Sequence, residues 1–352
     1  VKAPFVWFGG KRRVAHHVWA ALGDVDNYIE PFAGSLAALL ERPHDLHDGH
    51  RRAETVNDAD GMIANFWRAL AHDPEAVAYH CDYPVNETDL LARHLWLVNT
   101  GRSRLLEGME SDPEFFDAQV AGWWVWGINA WIGSGWCSGE GPWEAIDGTV
   151  RKRPHLGTAG QGVNRKRPHL GNAGQGVNRQ LPHLGDAGRA GFNNLEYRPN
   201  VLDYFEQLAA RLRDVRVCCG DWSRVCTTGA LSFGAKVGVF LDPPYLGDVR
   251  TADLYAVDDH TISHEVRDWC LTNGDNPRYR IVLAGYGPEH DHLIPNTWRR
   301  INWSSSAAYS TTKSAERQDG NHANRHTEVL WLSPHCVNPA NDTPSLFDEV
   351  TA

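Results

Sequence analysis

Three tandem copies of a 14-residue unit occupy the middle of the chain: RKRPHLGTAGQGVN (151–164), RKRPHLGNAGQGVN (165–178) and the diverged RQLPHLGDAGRAGF (179–192). Self-similarity at a fixed period constrains a fold before any other feature does. Each unit has few apolar residues, no aromatic residue before Phe192, several Gly and a Pro, so it cannot bury a core of its own. The repeats must lie on something else or stay mobile, and the globular core has to come from the sequence on either side of them.

The repeats also concentrate charge. Between Arg151 and Arg189, eight Lys and Arg residues face a single acid, Asp186, whereas the rest of the chain holds 26 Lys and Arg against 43 Asp and Glu. The formal charge of −10 argues against a polyanionic partner, yet an acidic body carrying one basic segment is the pattern of a nucleic-acid-binding surface. The Arg-Lys-Arg triplets return in register with Pro-His-Leu-Gly turns. That leaves two readings, a DNA-contacting insertion or a flexible linker made by duplication.

With 352 residues, 42% hydrophobic and 22% charged, the chain suits one large domain or a core domain with a substantial insertion. Its apolar runs break within about a dozen residues, far short of the ~20 that span a bilayer, so no membrane partner is expected. The segment Val1 to Lys11 has no apolar signal core, and a cytoplasmic location is the expectation. Seven Cys without a C-x-x-C pair predict reduced thiols, with Cys218 and Cys219 in a buried strand. The 18 His are scattered; His16-His17 and His44, His47 and His50 lie beside Arg or in Pro- and Gly-containing loops, which favours the surface over metal ligation.

Outside the repeats the pattern is α/β. Strand-like stretches are 27–30, 54–57, 215–219, 236–241, 278–284 and 327–332, with helical patterns between them at 61–70, 201–212 and 263–271. Alternating strands and helices, with central strands apolar throughout, predict a mainly parallel sheet covered on both faces. Ligands in such sheets bind at the carboxyl ends of the strands. The segment 123–143, with six of the fifteen Trp, interrupts the alternation and is expected to begin a second region.

Four segments carry candidate chemistry. Asp242-Pro243-Pro244-Tyr245 follows the apolar strand directly. Two prolines stiffen the backbone and remove two N–H donors, so a carboxylate, a carbonyl and an aromatic ring are held together at a strand end. A planar amino group suits this set: Asp242 and the Pro243 carbonyl each accept one hydrogen while Tyr245 stacks. Glu30-Pro31-Phe32-Ala33-Gly34-Ser35 leads from the first strand into an expected helix at 36–41, with Gly34 allowing close backbone approach. Asn57-Asp58-Ala59-Asp60 places acids after the second strand, either for ribose hydroxyls or, in the case of Asp60, as a helix N-cap. Trp7-Phe8-Gly9-Gly10-Lys11 is an aromatic-Gly-Gly-Lys turn near the start.

In this order the segments resemble the Dam-like DNA adenine N6-methyltransferases. The matching pieces are Gly9-Gly10-Lys11, Pro31-Phe32-Ala33-Gly34, Asp58 and Asp242-Pro243-Pro244-Tyr245, with weaker likenesses at Cys219-Gly220-Asp221-Trp222 and Arg325 to Trp331. The chain departs from the family at Leu36, where a second Gly is usual, and in its Trp-rich and repeat segments.

The resemblance implies a class I methyltransferase fold, a Rossmann-like mixed sheet of seven strands. The catalytic core would be 1–71 and 201–336, an inserted target-recognition region 72–200, with the basic repeats at 151–192, and a flexible tail 337–352. It implies S-adenosylmethionine as methyl donor, no metal, and a target adenine flipped out of duplex DNA onto Tyr245. Phe32 and Gly34 would lie under the methionine and ribose, Asp58 on the ribose hydroxyls, Asp221 on the adenine amino group and Trp7 against the cofactor. Lys11 would sit by the methionine carboxylate or near the target, and Gly10, Glu30, Pro31, Ala33 and Trp222 would complete the cofactor surface. Phosphate contacts would fall to Arg151, Lys152, Arg153, Arg165, Lys166, Arg167 and Arg179. The implied setting is a bacterial or phage-infected cell, with the protein a monomer or weak dimer, nucleoid-associated through DNA and compatible with a cognate restriction endonuclease. The rival readings are a cytosine-N4 methyltransferase and a non-catalytic DNA-binding relative.

Overall fold

The computed structural model describes residues 1–5, 11–43, 49–112, 114–131, 136–137, 143–146, 149–152, 201–244, 261–291, 294–303 and 328–338. The strands in chain order are β1 (Asn27–Glu30), β2 (Ala53–Asp58), β3 (Trp143–Ile146), β4 (Thr149–Lys152), β5 (Val215–Cys219), β6 (Val237–Leu241), β7 (Tyr279–Tyr286), β8 (Arg299–Trp303) and β9 (Glu328–Leu332). The helices are α1 (Ala15–Leu22), α2 (Gly61–His72), α3 (Pro74–Cys81), α4 (Glu87–Trp96), α5 (Arg102–Ser111), α6 (Ala118–Ala130), α7 (Val201–Leu212), α8 (Ile262–Asn273) and α9 (Gly287–His290).

Seven strands form one sheet in the order β5-β2-β1-β6-β7-β9-β8, while β3 and β4 pair as a separate antiparallel hairpin. β5, β2, β1, β6 and β7 are mutually parallel, and β9 runs antiparallel to both of its neighbours. The fold is therefore α/β with a mostly parallel, mixed seven-stranded sheet, doubly wound about β1 and β6.

Period-two alternation sends the central strands' side chains to two cores. Phe240, Val282, Ala284, Leu330 and Leu332 enter one, together with apolar residues of α1, α2, α3, α6 and α7. Val237, Val239, Leu241, Ile281, Leu283, Val329 and Trp331 enter the other, with Val266 and Cys270 of α8 and Trp222 and Val225 of a short 3-10 turn. Burial on both faces explains why these strands read as continuous apolar runs. The helices follow their own signals. α7 buries Val201, Phe205, Leu208 and Leu212 along one stripe; α2 is capped by Asp60, whose side chain accepts the Met62 N–H at 2.9 Å.

The expected strands coincide with β1, β2, β5, β6, β7 and β9 to within two residues, and three expected helices with α2, α7 and α8. Three expectations need correction. Residues 36–41 hold only a 3-10 turn, Leu39–Glu41, because Gly34 and Leu36 both take positive φ and delay helical entry. Cys218 and Cys219 are half-buried, since β5 is an edge strand. The Trp-rich segment begins inside the core: α6 buries Trp124 and Trp126 and packs on α2 and α3. The edge strand β8, with the sequence Arg-Arg-Ile-Asn-Trp, is absent from the sequence reading. Among the described residues no helix is long and apolar enough to cross a membrane.

Candidate functional site

The parallel strands present their carboxyl ends on one edge of the sheet, and antiparallel β9 adds its amino end there. Between β1 and β6 the winding changes direction, which opens the crevice where ligands of doubly wound sheets bind.

On the β1 side the chain turns through Pro31 to Leu36. Gly34 has φ 46 and Leu36 φ 54. The left-handed conformation costs an L-residue such as Leu about 1–2 kcal/mol, but Leu36 is 0% exposed, and full burial of a leucine contributes about 1.5–3 kcal/mol. Burial therefore holds a turn that glycine would take without strain. The indole N–H of Trp67 in α2 donates to the Gly34 carbonyl at 2.9 Å and fixes the turn from below.

Asn57 and Asp58, at the end of β2, tie three loops together. The Asn57 amide donates to the carbonyls of Pro31 at 3.1 Å and Gly220 at 2.9 Å, and the Asn57 carbonyl accepts the Ala33 N–H at 2.9 Å. The Asp58 carboxylate accepts the N–H groups of Gly34 and Asp60, each at 2.9 Å, while its carbonyl accepts the Gly220 N–H at 3.1 Å. Asn57 Oδ1 is buried with no partner among the described residues. Burial pushes the Asp58 carboxyl up to about 7, Asp60 adding to the effect and the two backbone donors opposing it. Asp221 is exposed and caps the 3-10 turn Trp222–Val225 through the Ser223 N–H at 3.0 Å. Buried Trp222 stacks with Phe32, the ring centres 6.3 Å apart.

Across the crevice β6 ends in Asp242, Pro243 and Pro244. Lys11 Nζ lies 3.0 Å from Asp242 Oδ1 and 3.4 Å from Glu328 Oε2, and 5.7 Å from the centre of the Trp303 ring. A lysine only 4% exposed needs such company: two carboxylates and a ring face offset the loss of water around the ammonium. Glu30 closes the floor. The Tyr28 hydroxyl donates to its Oε2 at 2.9 Å, and burial pushes its carboxyl up to about 8, with the charges of Asp242 and Glu54 acting in the same direction and the hydrogen bonds from Tyr28 and the Leu39 backbone against it. Glu30 therefore carries its proton at neutral pH.

The structure thus brings Lys11, Glu30, Pro31, Phe32, Ala33, Gly34, Asp58, Asp221, Trp222, Asp242, Pro243 and Pro244 to one edge of the sheet. Trp7, Gly10 and Tyr245 lie outside the described residues, as do Arg153, Arg165, Lys166, Arg167 and Arg179; Arg151 and Lys152 belong to β4. Sequence reasoning did not assign Glu328 or Trp303 to the site. A charged residue opening an otherwise apolar strand, Glu-Val-Leu-Trp-Leu, was the available signal for Glu328; Trp303, ending a strand that was not recognised, had none. Among the described residues no group of three His, Cys, Asp or Glu side chains is arranged to hold a metal ion.

Fold and site together define an α/β protein with a doubly wound sheet and a polar, partly buried cluster at its switch point. No protein-family model matches the chain, and no curated protein matches it either.

Proposed function

We infer that the chain is a DNA adenine N6-methyltransferase that uses S-adenosylmethionine, built on a class I methyltransferase fold. The observation that carries this reading is Asp242-Pro243-Pro244 at the carboxyl end of a central strand, beside the switch point, with Lys11 on the carboxylate. The strand-end loops suit the donor's nucleoside: acceptors at Asp58 and Asp221, an unpartnered buried Asn57 Oδ1, and the stacked rings of Phe32 and Trp222. When bound, S-adenosylmethionine supplies an electrophilic methyl group on a sulfonium. Glu30, protonated, adds no second negative charge to the crevice floor.

The residues on the β6 side would handle the target. An exocyclic amine conjugated with adenine is a poor nucleophile; hydrogen bonds from N6 to Asp242 and to the Pro243 carbonyl favour a pyramidal nitrogen with its lone pair aimed at the methyl group. A carboxylate has about four acceptor sites, so pairing with Lys11 through Oδ1 does not by itself exclude the amine. Lys11, shared with Glu328, holds Asp242 in place and limits negative charge there. The one feature that favours the non-catalytic alternative is Leu36 in place of the usual second Gly. With φ 54 its backbone occupies the left-handed region that a glycine favours.

Tritium transfer from labelled S-adenosylmethionine to unmethylated duplex DNA, followed by nucleoside mass analysis, tests the reading. Methylated adenine supports it; methylated cytosine or no transfer overturns it in favour of one of the rivals. Asp242→Ala should lower turnover by ~10² or more, the scale for losing one preorganised electrostatic contact, with cofactor affinity little changed.

A further inference from the structure

α1 runs from the strand-end edge of the sheet to the opposite edge, where the Leu22 carbonyl accepts a hydrogen bond from Arg280 near the start of β7. The 3-10 turn Lys11–Arg13 and the first turn of α1 therefore stand at the rim of the site. Lys11 points inward to Asp242, while Arg12, Arg13 and His16 are exposed on the outside. With Trp19, Ala20, Gly23, Glu41 and Pro43 they line an open groove of about 790 Å³ that follows α1 toward that opposite edge.

The sequence gives this rim its sign. From Val1 to Gly23 the chain has Lys2, Lys11, Arg12 and Arg13 and no Asp or Glu, against a formal charge of −10 for the whole. Arg12 and Arg13 differ in exposure from two arginines nearby: Arg42 bridges Asp24 and Glu54, and Arg52 pairs with Asp24, their side chains 1% and 6% exposed. The Arg12 side chain is 53% exposed, and its Nε pairs with Glu41 at 2.7 Å. A surface pair of this kind is worth ~0–1 kcal/mol and yields to a stronger anion.

We propose that Arg12 and Arg13, with His16, bind the phosphodiester backbone of duplex DNA beside the target nucleotide. This rests on the methyltransferase reading, which places the target at Asp242. Because Lys11 and Arg12 are consecutive, the rim then ties the phosphate register to the reacting position: a base held at Asp242 and a phosphate held by Arg12 are fixed by one short turn. That is how backbone contacts position without specifying sequence.

Anisotropy titrations of a fluorescein-labelled, unmethylated duplex, without cofactor and over about 0.05–0.2 M salt, test this. Two lost phosphate contacts, at ~0.9 each, should flatten the slope of log affinity against log salt by about 1.8 in Arg12→Gln/Arg13→Gln and weaken binding on the order of tenfold. Glu41→Gln, which removes the competing carboxylate from Arg12, should change affinity the other way and tighten binding. Calorimetric S-adenosylmethionine affinity should match wild type in both. A slope in the double variant equal to wild type, with methyl transfer to DNA intact, overturns the proposed surface and leaves the methyltransferase reading standing. Wild-type protein that binds no duplex overturns both.

Discussion

Glu30 carries the clearest pH signature of the site. Its carboxyl lies at about 8 in the folded protein because of burial, against ~4.3 in an unfolded chain. Between those values the folded state keeps a proton that the unfolded state gives up, so stability falls as pH rises through the window. Asp58, raised to about 7 by burial, acts in the same direction. Glu30→Gln keeps an acceptor for the Tyr28 hydroxyl and removes the titration. The urea midpoint of this variant should fall less than that of wild type between about pH 5 and 8; an equally steep fall would mean that Glu30 ionises without penalty. Leu36 marks a limit of the sequence at this scale. Its place in the motif identifies a departure from glycine, but that a leucine holds φ 54 there depends on the core closing around it.

At the scale of elements, legibility follows burial. β6, β7 and β9 were readable because their buried runs admit few polar residues, and the Asp-Pro-Pro motif could be placed at a strand end for the same reason; β1 and β2, with the sequences NYIE and AETVND, mix apolar and polar residues and were read from the acids at which they end. β8 was not, because Arg299 and Arg300 belong to it: their guanidinium groups reach the Val337 carbonyl and the Asp291 carboxylate, partners 38 and 9 positions away that lie outside the strand. The loops between strand ends were legible as motifs but not as a connected unit, since only the fold brings Pro31, Asn57 and Gly220 together. Asn57→Asp tests that unit. It replaces two donated hydrogen bonds with a carboxylate facing two carbonyls, and should destabilise the fold by at least about 1–3 kcal/mol and weaken S-adenosylmethionine binding while leaving DNA affinity unmoved. Thermal unfolding and calorimetry report the two effects, and wild-type values for both would remove Asn57 from its role as the tie between loops.

Across the whole molecule, charge is partitioned between an acidic body and a basic repeat segment. If those repeats hold phosphates, changing Arg151, Lys152, Arg153, Arg165, Lys166 and Arg167 to Gln should flatten the salt slope by up to about five units, at ~0.9 per contact, with cofactor affinity untouched. A linker would leave the slope as it was. Comparing this variant with the Arg12/Arg13 pair apportions the phosphate contacts between the repeats and the rim of the site. The site itself spans the molecule in another sense: Lys11 and Glu328 meet across 317 positions of sequence. During synthesis the ammonium emerges long before its second carboxylate. β9, which starts at Glu328, is also the strand that joins β8 to β7. A growing chain thus carries Asp242 and Lys11 for a long interval without the residue that shares the lysine's charge. Completion of the site becomes a record that translation has passed residue 328, and chains interrupted before that point lack both the finished sheet and the finished cluster.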